Sequence, residues 1–490
     1  MDEEKACTSR VVRVGSRKSE LALIQTGHVI SLLKEIHREK SFEIVTMSTL
    51  GDQILDKPLP KIGEKSLFTR ELETALITGV VDLVVHSLKD LPTTLPEGMA
   101  IGAVLTREDP RDALVLRKDC QHLSLETLPD NSVIGTSSLR RTAQLAKKYP
   151  QLKVESIRGN LNTRLKKLDE LGDFHAIILA TAGLNRMGWN QRISKVIEEH
   201  ELLYAVGQGA LAVECRQLDK DTLQLLKPLY DPKTAIQVIA ERSFLRTLGG
   251  GCSAPVAVTT NLTSTRRHFK LSLTGAVWSL NGKEEIMKSD EASVEIKEIN
   301  RCTQCPYYFK NNIKNVSGKN KCNNSDIECF KKCSFKRIYE ETNEVITKRQ
   351  KSETDMSKEL LKTDPLVHCP MKIPIGLDFM GKCPYIDTRE NLTKECPVYG
   401  KGQIDGMDGD FNKCPFLKEN VLQSILSTDL VEFEKHGNNG CLYVGLVPHE
   451  DVPEISLNEA ENLGNRLAKK LIELGATEIM NKAQEFIRNS

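Results

Sequence analysis

The sequence predicts an α/β protein in which two sheet-containing domains surround a cleft and a small α+β domain follows. A chain of 490 residues is longer than one core normally organises, which indicates several domains. From residue 11 to about 260, short β-branched runs alternate with amphipathic segments, the pattern of strands alternating with helices. Beyond residue 260 apolar and polar residues alternate, which is typical of antiparallel strands with one exposed face.

The candidate strands of the two α/β domains are six apolar segments. They are Val11 to Val14, FEIVTMST at 42–49, VVDLVVHS at 80–87, VIGTSS at 133–138, VESIRG at 154–159 and HAIILATAG at 175–183. Each leads into a helical pattern, so we expect parallel sheets covered by helices on both faces. Ligands of such sheets bind beyond the carboxyl ends of the strands. The candidate site residues are therefore those that directly follow each strand.

The C-terminal part is predicted to be an α+β domain interrupted by a long insertion. KLSLTGAVWSL and SVEIKEI are its candidate strands, and Ser456 with Glu459 forms a capping-box pattern before a helix that Gly475 would end. Residues 300–440 are rich in Lys, Asn, Cys and Asp and have little apolar periodicity, so we expect low order there. The first predicted domain comprises residues 1–107 with 207–230, and the second comprises residues 108–206. The third comprises residues 231–299 with 441–490, and the insertion comprises residues 300–440.

Composition and charge exclude several classes of partner. The net charge is +1, so no overall field attracts nucleic acid or an anionic membrane. No segment approaches the roughly 20 apolar residues that span a bilayer, and the acidic start MDEEKACTSR has no apolar run. We therefore expect a cytoplasmic protein that binds neither nucleic acid nor membrane, with its 14 cysteines reduced. We also expect a monomer.

Asp90 is the candidate catalytic residue. It follows the strand VVDLVV in the segment HSLKDLPT, beside Lys89 and just before a proline. A single Lys-Asp pair in such a place is ordinarily a helix cap or a loop ion pair. The arginines at the ends of the other predicted strands favour a functional interpretation instead.

These arginines form the candidate binding surface. They are Arg17, Arg140, Arg141, Arg158, Arg164 and Arg186, and they are flanked by Ser19, Ser137, Ser138 and Asn160 as possible helix caps. One arginine after a strand is usually a solvated charge, but six at equivalent positions indicate a ligand with several negative groups. A nucleic-acid cleft usually interleaves aromatic side chains, and these make up only 5% of the chain. The pattern favours a polycarboxylate.

Cys252 is the third candidate, because it directly follows three glycines in GGGCSAPV. An isolated cysteine of a cytosolic protein is ordinarily buried and inert. The glycines allow close backbone approach and leave the sulfur room for a partner, which favours attachment or nucleophilic chemistry.

A set of motifs in a fixed order makes the assignment specific. The segments are GSRKSELA, TLGD, GEKSLFT, HSLKDLPT, EDPRDALV, GTSSLRR, RGNLNTRL, AGLNRMGW and GGGCSAPVAV. Together they resemble the signatures of the porphobilinogen deaminase family, and the resemblance covers residues 10–298 and 441–490. It implies two α/β domains of the periplasmic-binding-protein type around a cleft, with the C-terminal domain carrying the insertion.

The resemblance also implies the chemistry. The family condenses four porphobilinogen molecules head to tail, with loss of ammonia, into linear hydroxymethylbilane. Cys252 would carry the covalent dipyrromethane cofactor through a thioether. Asp90 would stabilise positive charge on the pyrrole nitrogens as the aminomethyl group leaves, and would then assist deprotonation. Each pyrrole carries an acetate and a propionate, which fits the arginine cluster.

Further roles follow residue by residue from the same resemblance. Cofactor contacts are implied for Lys89, Ser137, Ser138, Arg140, Arg141, Asn160, Arg164 and Gln208. Substrate contacts are implied for Arg17, Ser19, Gln25, Arg158 and Arg186. Lys65 and Phe68 fall in a loop expected to cover the cleft. Gly249 departs from the family, whose members often have an acidic residue there.

The insertion contains an excess of Cys-Pro pairs, and its function has three interpretations. The pairs begin at Cys305, Cys369, Cys383, Cys396 and Cys414. Cys-Pro resembles the haem-regulatory motif, in which a thiolate binds ferric haem. The spacings Cys302–Cys305 and Cys329–Cys333 are equally compatible with half of a zinc or iron–sulfur site. The third interpretation is a segment that binds nothing.

Two other functions are compatible with parts of the sequence. Two α/β domains around an anion-binding cleft are also the plan of solute-binding proteins, and fold alone does not separate the two. A catalytically inactive homologue could serve as a scaffold through its insertion. The joint presence of Asp90 and the glycine-rich Cys252 loop favours the enzyme.

Overall fold

The computed structural model describes residues 10–53, 67–249, 254–265, 268–297 and 442–489, and the strands of these residues form three sheets. The first sheet contains β1 (Val12–Arg17), β2 (Phe42–Met47), β3 (Leu83–Ser87), β4 (Met99–Val104) and β10 (Leu211–Arg216). The second contains β5 (Asp112–Leu116), β6 (Val133–Gly135), β7 (Lys153–Glu155), β8 (Ala176–Ala180) and β9 (Lys195–Val196). The third contains β11 (Val256–Ser264), β12 (Phe269–Trp278) and β13 (Glu285–Val294).

Helices connect and cover these sheets. They are α1 (Glu20–Ile36), α2 (Leu50–Gln53), α3 (Arg70–Ile77), α4 (Leu139–Lys148), α5 (Leu161–Glu170), α6 (Thr181–Arg186), α7 (Lys220–Leu226), α8 (Pro232–Thr247), α9 (Glu454–Glu473) and α10 (Ala476–Asn489). The predicted fold class is confirmed: two α/β sheets are followed by a small antiparallel sheet with helices. The domain boundaries expected from the sequence stay a prediction. No helix in the described part of the chain is long and apolar enough to cross a membrane.

The first two sheets share one strand arrangement, and it differs from the purely parallel sheets expected. Their orders are β2-β1-β3-β10-β4 and β7-β6-β8-β5-β9. In each, the fourth strand runs antiparallel to both neighbours. The reason is the path of the chain, because β5 and β10 each enter their sheet from the other one. The crossovers at 105–111 and 197–210 pair with each other, and Glu108 N–H donates to Gly209 O at 3.3 Å.

The hydrophobic core is continuous between the first sheet and the C-terminal unit. One apolar cluster includes Leu33 of α1, Val85 of β3, Phe244 of α8 and Leu467 of α9. Helices α8 and α9 approach closely at Gly464, where an added Cβ would lie 2.2 Å from the carbonyl oxygen of Ala240. The second sheet has separate apolar clusters on its two faces, so its packing is largely its own.

The capping box predicted at Ser456 is wrong. Helix α9 begins two residues earlier, after Pro453, with no side-chain cap. Ser456 is buried and its hydroxyl accepts a hydrogen bond from Glu295 N–H at 2.8 Å, which ties the helix to the end of β13. Gly475 does follow the helix with φ +96°, as a C-terminal glycine should.

The segments that precede and follow the insertion are hydrogen-bonded to each other. Lys297 N–H donates to Asp451 O at 2.9 Å. The first segment after the insertion also extends the first sheet, because Ile101 N–H of β4 donates to Gly445 O at 2.8 Å and Val447 N–H donates to Ile101 O at 3.1 Å. The insertion itself, with its predicted low order, lies outside the described residues.

Candidate active site

Asp90 lies directly beyond the carboxyl end of β3, as the sequence predicts. The strand ends at Ser87 and a single 3₁₀ turn, Leu88–Asp90, follows it. Leu88 anchors this turn, because its side chain is buried and its N–H donates to Ala210 O at 3.0 Å. The half-buried carboxylate of Asp90 is therefore held at a defined edge of the sheet.

A cavity of about 120 Å³ collects residues from both α/β sheets around Asp90. Its polar and charged lining residues are Gln25, Ser87, Lys89, Asp90, Arg141, Arg164 and Arg186. All but Ser87 are residues that the sequence singles out. The first sheet supplies the carboxylate and the second supplies the three arginines, so the site exists only where the two sheets face each other.

The cations of this cavity are withdrawn from solvent and close together. Burial lowers the pKa of Lys89 to about 8, although the carboxylate of Asp90 opposes the shift. Burial, followed by the charges of Arg141 and Arg158, lowers the pKa of Arg164 to about 10. Burying positive charge costs free energy unless an anion pairs with it. The cavity is therefore suited to a carboxylate ligand.

Arg186 joins the cavity to the crossovers. Its Nε donates to Glu108 at 2.7 Å and its Nη2 donates to Gly209 O at 2.7 Å. Gly209 has φ +87°, and a Cβ there would lie 2.5 Å from Glu108 O. The close approach of the two crossovers therefore requires glycine at this position.

Asp112, at the start of β5, accepts hydrogen bonds from two arginines of α4. It is fully buried and accepts hydrogen bonds from both Arg140 and Arg141 at 2.7 Å. Gln208 also donates to it, at 2.8 Å, and accepts from Lys89 Nζ at 3.2 Å. Burial would raise the pKa of Asp112, but the two guanidinium groups outweigh burial and hold that pKa well below its usual range.

Several predicted residues have structural contacts instead of lining the cavity. Ser19 caps α1 by accepting from Ala22 N–H at 3.4 Å, and Asn160 caps α5 by accepting from Thr163 N–H at 2.9 Å. Ser137 Oγ donates to Ile157 O at 2.7 Å. The remaining residues that do not line the cavity are Arg17, Phe68, Ser138, Arg140, Arg158 and Gln208.

Two of these residues contact each other. The guanidinium carbon of Arg17 lies 4.5 Å from the centre of the Phe68 ring, a cation–π contact next to the segment predicted to cover the cleft. Gly249 follows the end of α8 with φ +69°, a left-handed conformation that favours glycine. Lys65, Cys252 and the five insertion cysteines lie outside the described residues.

Sequence reasoning missed Asp112 and Glu108 as members of the site. Both fall in the motif EDPRDALV, and Glu108 has no local feature that distinguishes it from a surface acid. A usable signal for Asp112 is a charged residue at the start of the fully apolar strand ALVL, since a buried aspartate requires a cationic partner.

A second buried group of ionisable residues lies at β3 and β10, away from the cavity. His86 Nε2 of β3 lies 3.0 Å from Glu214 Oε2 of β10, and both side chains are buried. Glu73 of α3 is only 5% exposed. Burial and the neighbouring charge of Glu214 raise the pKa of Glu73 to about 7.

The raised pKa of Glu73 predicts a loss of stability with rising pH. The folded protein holds this proton more tightly than the unfolded chain, so the stabilisation is complete below pH 4.5 and disappears as the pH passes 7. We expect Glu73→Gln to raise the free energy of unfolding at pH 8 by about 1–3 kcal/mol and to leave it nearly unchanged at pH 4.5. Urea unfolding at both pH values measures this, and an equal effect at the two would contradict it.

Metal and thiol chemistry find no support in the described part of the chain. No group of three or more His, Cys, Asp or Glu side chains there could hold a metal ion. Burial raises the pKa of the Cys215 thiol to about 12, so this side chain is an inert core residue.

Comparison with known proteins identifies one family. The family model for "Porphobilinogen deaminase, dipyromethane cofactor binding domain" matches residues 12–224, and that for "Porphobilinogen deaminase, C-terminal domain" matches residues 235–315. The porphobilinogen deaminase of Synechococcus elongatus is 52% identical over 275 residues, which are 56% of this chain and 84% of that protein. The enzyme of the same name from Yarrowia lipolytica is 47% identical over 290 residues, 58% of this chain and 85% of that protein.

Among solved structures, a periplasmic binding protein of Salmonella typhimurium with high arginine specificity is similar over 46% of this chain and 96% of its own. Its TM-score is 0.27 and its sequence identity 13%. A likeness at that level is too distant to bear on fold or function.

Proposed function

The chain belongs to the porphobilinogen deaminase family, and we propose on this basis that Asp90 is its catalytic carboxylate and Cys252 the attachment point of its cofactor. The chain is a transferase that condenses four porphobilinogen molecules head to tail into hydroxymethylbilane, with release of ammonia, in tetrapyrrole biosynthesis. Its cofactor is dipyrromethane.

The observation that supports this proposal best is the position of Asp90 opposite a set of cations. Porphobilinogen carries two carboxylates and becomes positively charged at its pyrrole as ammonia leaves. Lys89, next to Asp90, and Arg164 and Arg186 from the second sheet suit the carboxylates, and Asp90 suits the developing cation. A plain anion-binding protein would have no use for a carboxylate among these groups.

Asp90 has two tasks in the proposed reaction. Its carboxylate stabilises the positive charge that develops on the pyrrole nitrogen of the substrate, and it then takes the proton that the new carbon–carbon bond displaces. The arginines of the cavity hold the substrate carboxylates on the side away from Asp90. The reacting carbon is then oriented toward the end of the growing pyrrole chain.

The described residues fit the dipyrromethane cofactor. Arg140 Nε and Arg141 Nε are buried and have no hydrogen-bond partner among the described residues, and the Nε of Arg141, which lines the cavity, remains as a donor for a cofactor carboxylate. When bound, the cofactor supplies the pyrrole carbon to which the first substrate is joined. Lys89, Ser137, Ser138, Asn160, Arg164 and Gln208 are proposed to bind it with these two arginines, and Arg17, Ser19, Gln25, Arg158 and Arg186 to bind the substrate.

Intact mass spectrometry tests the proposal. We expect the purified chain to be heavier than its sequence by one dipyrromethane, and the excess to be absent in Cys252→Ser. The matched control is Cys120→Ser, because Cys120 is a buried free cysteine in an apolar cluster that packs on the second sheet, and its replacement should leave the excess unchanged. An unmodified wild-type chain, or an excess that survives Cys252→Ser, would contradict the assignment.

We also propose that the chain is monomeric and cytoplasmic and that the insertion binds haem. Ferric haem titrated into the full-length chain tests the last of these. A thiolate-type Soret shift that weakens in Cys414→Ala is the expected result. The absence of such a shift, or a shift that is unaffected by replacing the Cys-Pro cysteines, would contradict haem binding. Two interpretations would then remain: a metal site, or a segment that binds nothing.

A further inference from the structure

Among the acids of the described residues, Asp112 accepts hydrogen bonds from the largest number of side chains at and beside the cavity. Its Oδ2 accepts from Arg140 Nη1 at 2.7 Å, and its Oδ1 accepts from Arg141 Nη2 at 2.7 Å and from Gln208 Nε2 at 2.8 Å. The two arginines also donate to backbone oxygens, Arg140 to Leu203 O at 2.6 Å and Arg141 to Ile178 O at 2.7 Å. Each guanidinium is thus fixed by two or more acceptors.

Asp112 also determines the orientation of Gln208. The amide nitrogen of Gln208 donates to Asp112 and, at 2.7 Å, to Pro110 O. The amide oxygen is left to accept from Lys89 Nζ at 3.2 Å. A flipped amide would place its oxygen against the carboxylate and its NH₂ against the ammonium group, and both contacts would be repulsive. The carboxylate therefore acts on Lys89 through Gln208.

This chain of contacts crosses between the sheets. Asp112 begins β5 of the second sheet, Gln208 lies in the returning crossover, and Lys89 follows β3 of the first sheet beside Asp90. The carboxylate is fully buried between two guanidinium groups, so it stays ionised. It neutralises one of the two arginine charges and leaves the other for an anionic ligand.

We propose that Asp112 is a positioning residue, which fixes Arg140, Arg141 and, through Gln208, Lys89 in the orientation that binds the carboxylates of the cofactor and the growing chain. This inference rests on the proposed function. It assigns to Asp112 no contact with the reacting atoms.

The test is Asp112→Asn in the full-length chain. We expect a smaller fraction of purified chains to carry the dipyrromethane mass, and KM for porphobilinogen to rise by at least about tenfold in the loaded fraction while kcat falls less. A second readout is the alkaline limb of the pH profile. Lys89 faces Asp90, Arg141, Asp112 and Arg140, and loss of the Asp112 charge should move that limb to lower pH.

The matched control is Asp169→Asn. Asp169 also accepts a two-fold hydrogen bond from one arginine of the second sheet's domain, Arg192, at 2.7 and 2.9 Å, but it does not line the cavity. We expect its cofactor mass, KM and pH profile to match those of the wild type. The control distinguishes the effect of losing the Asp112 hydrogen bonds from the general effect of losing an ion pair.

A second variant keeps the inference testable if Asp112→Asn does not fold. Gln208→Met leaves both arginine pairs in place and removes the link to Lys89, so we expect the same direction of shift in the alkaline limb and a raised KM. Folded Asp112→Asn, or failing that Gln208→Met, with wild-type KM and pH profile would overturn the proposal. A wild-type chain with neither the mass excess nor turnover would instead refute the proposed function, so the two failures are distinguishable.

Discussion

Asp90→Asn is expected to lower kcat by about 100- to 10,000-fold while the purified chain keeps the mass of its cofactor. Asparagine preserves the size of the side chain but removes both the negative charge and the proton acceptor. The cationic side chains of the cavity remain in place, so binding of anionic groups should persist. Single-turnover kinetics and intact mass on the same preparation measure the two effects separately.

Two variants make the result for Asp90 specific. Asp90→Glu retains the carboxylate at a changed distance and should recover part of the activity. Asp130→Asn removes an exposed aspartate from the loop before β6 and should behave like the wild type. Retention of more than about a tenth of kcat in Asp90→Asn would exclude a carboxylate role of the proposed kind.

Glu241→Gln is expected to reduce the free energy of unfolding by about 3–5 kcal/mol, because it leaves a buried guanidinium without its counter-charge. Glu241 of α8 is 0% exposed and accepts from Arg107 at 2.6 and 3.0 Å. It also accepts from Gly207 N–H at 2.8 Å and Thr260 Oγ1 at 2.7 Å. This one carboxylate therefore ties both crossovers to β11 of the third sheet, and urea unfolding of the variant measures the loss.

The control for Glu241 is Glu199→Gln. Glu199 is exposed and accepts from Thr259 Oγ1 of β11 at 2.6 Å, so the same chemical change occurs at the surface beside the same strand. Its effect should stay within about 0.5 kcal/mol. Equal effects of the two substitutions would show that burial of the Arg107–Glu241 pair contributes nothing.

The parts of the fold that depend on local pattern were predictable. The apolar run that forms β3 placed Asp90 at a strand end, and the repeated strand-to-helix pattern placed Arg141, Arg164 and Arg186 at the facing sheet. These features depend on residues close in sequence, and the ordered motifs identified the family from them. That Asp90 and these arginines line one cavity depends in addition on the two sheets facing each other.

The features that the sequence did not predict depend on contacts between distant segments. The antiparallel position of β10 follows from the path of the chain between sheets and leaves no local signal. Ser456 resembles a capping residue until the partner N–H of Glu295 is known. Asp112 resembles a surface acid until Arg140, Arg141 and Gln208 are brought to it by other strands and the returning crossover.

The strand order of the first sheet has a consequence for synthesis of the chain. Strand β10 separates β3 from β4, so these two strands have no common partner until residues 211–216 have left the ribosome. Among the described residues, the outer side of β4 is paired by residues 445–447, which follow the insertion. An unpaired strand edge is a template for aggregation, and long-range pairing is slow. The sheet that is translated first thus receives its last edge contact only after the insertion, and the nascent chain should depend on chaperones throughout translation of the insertion.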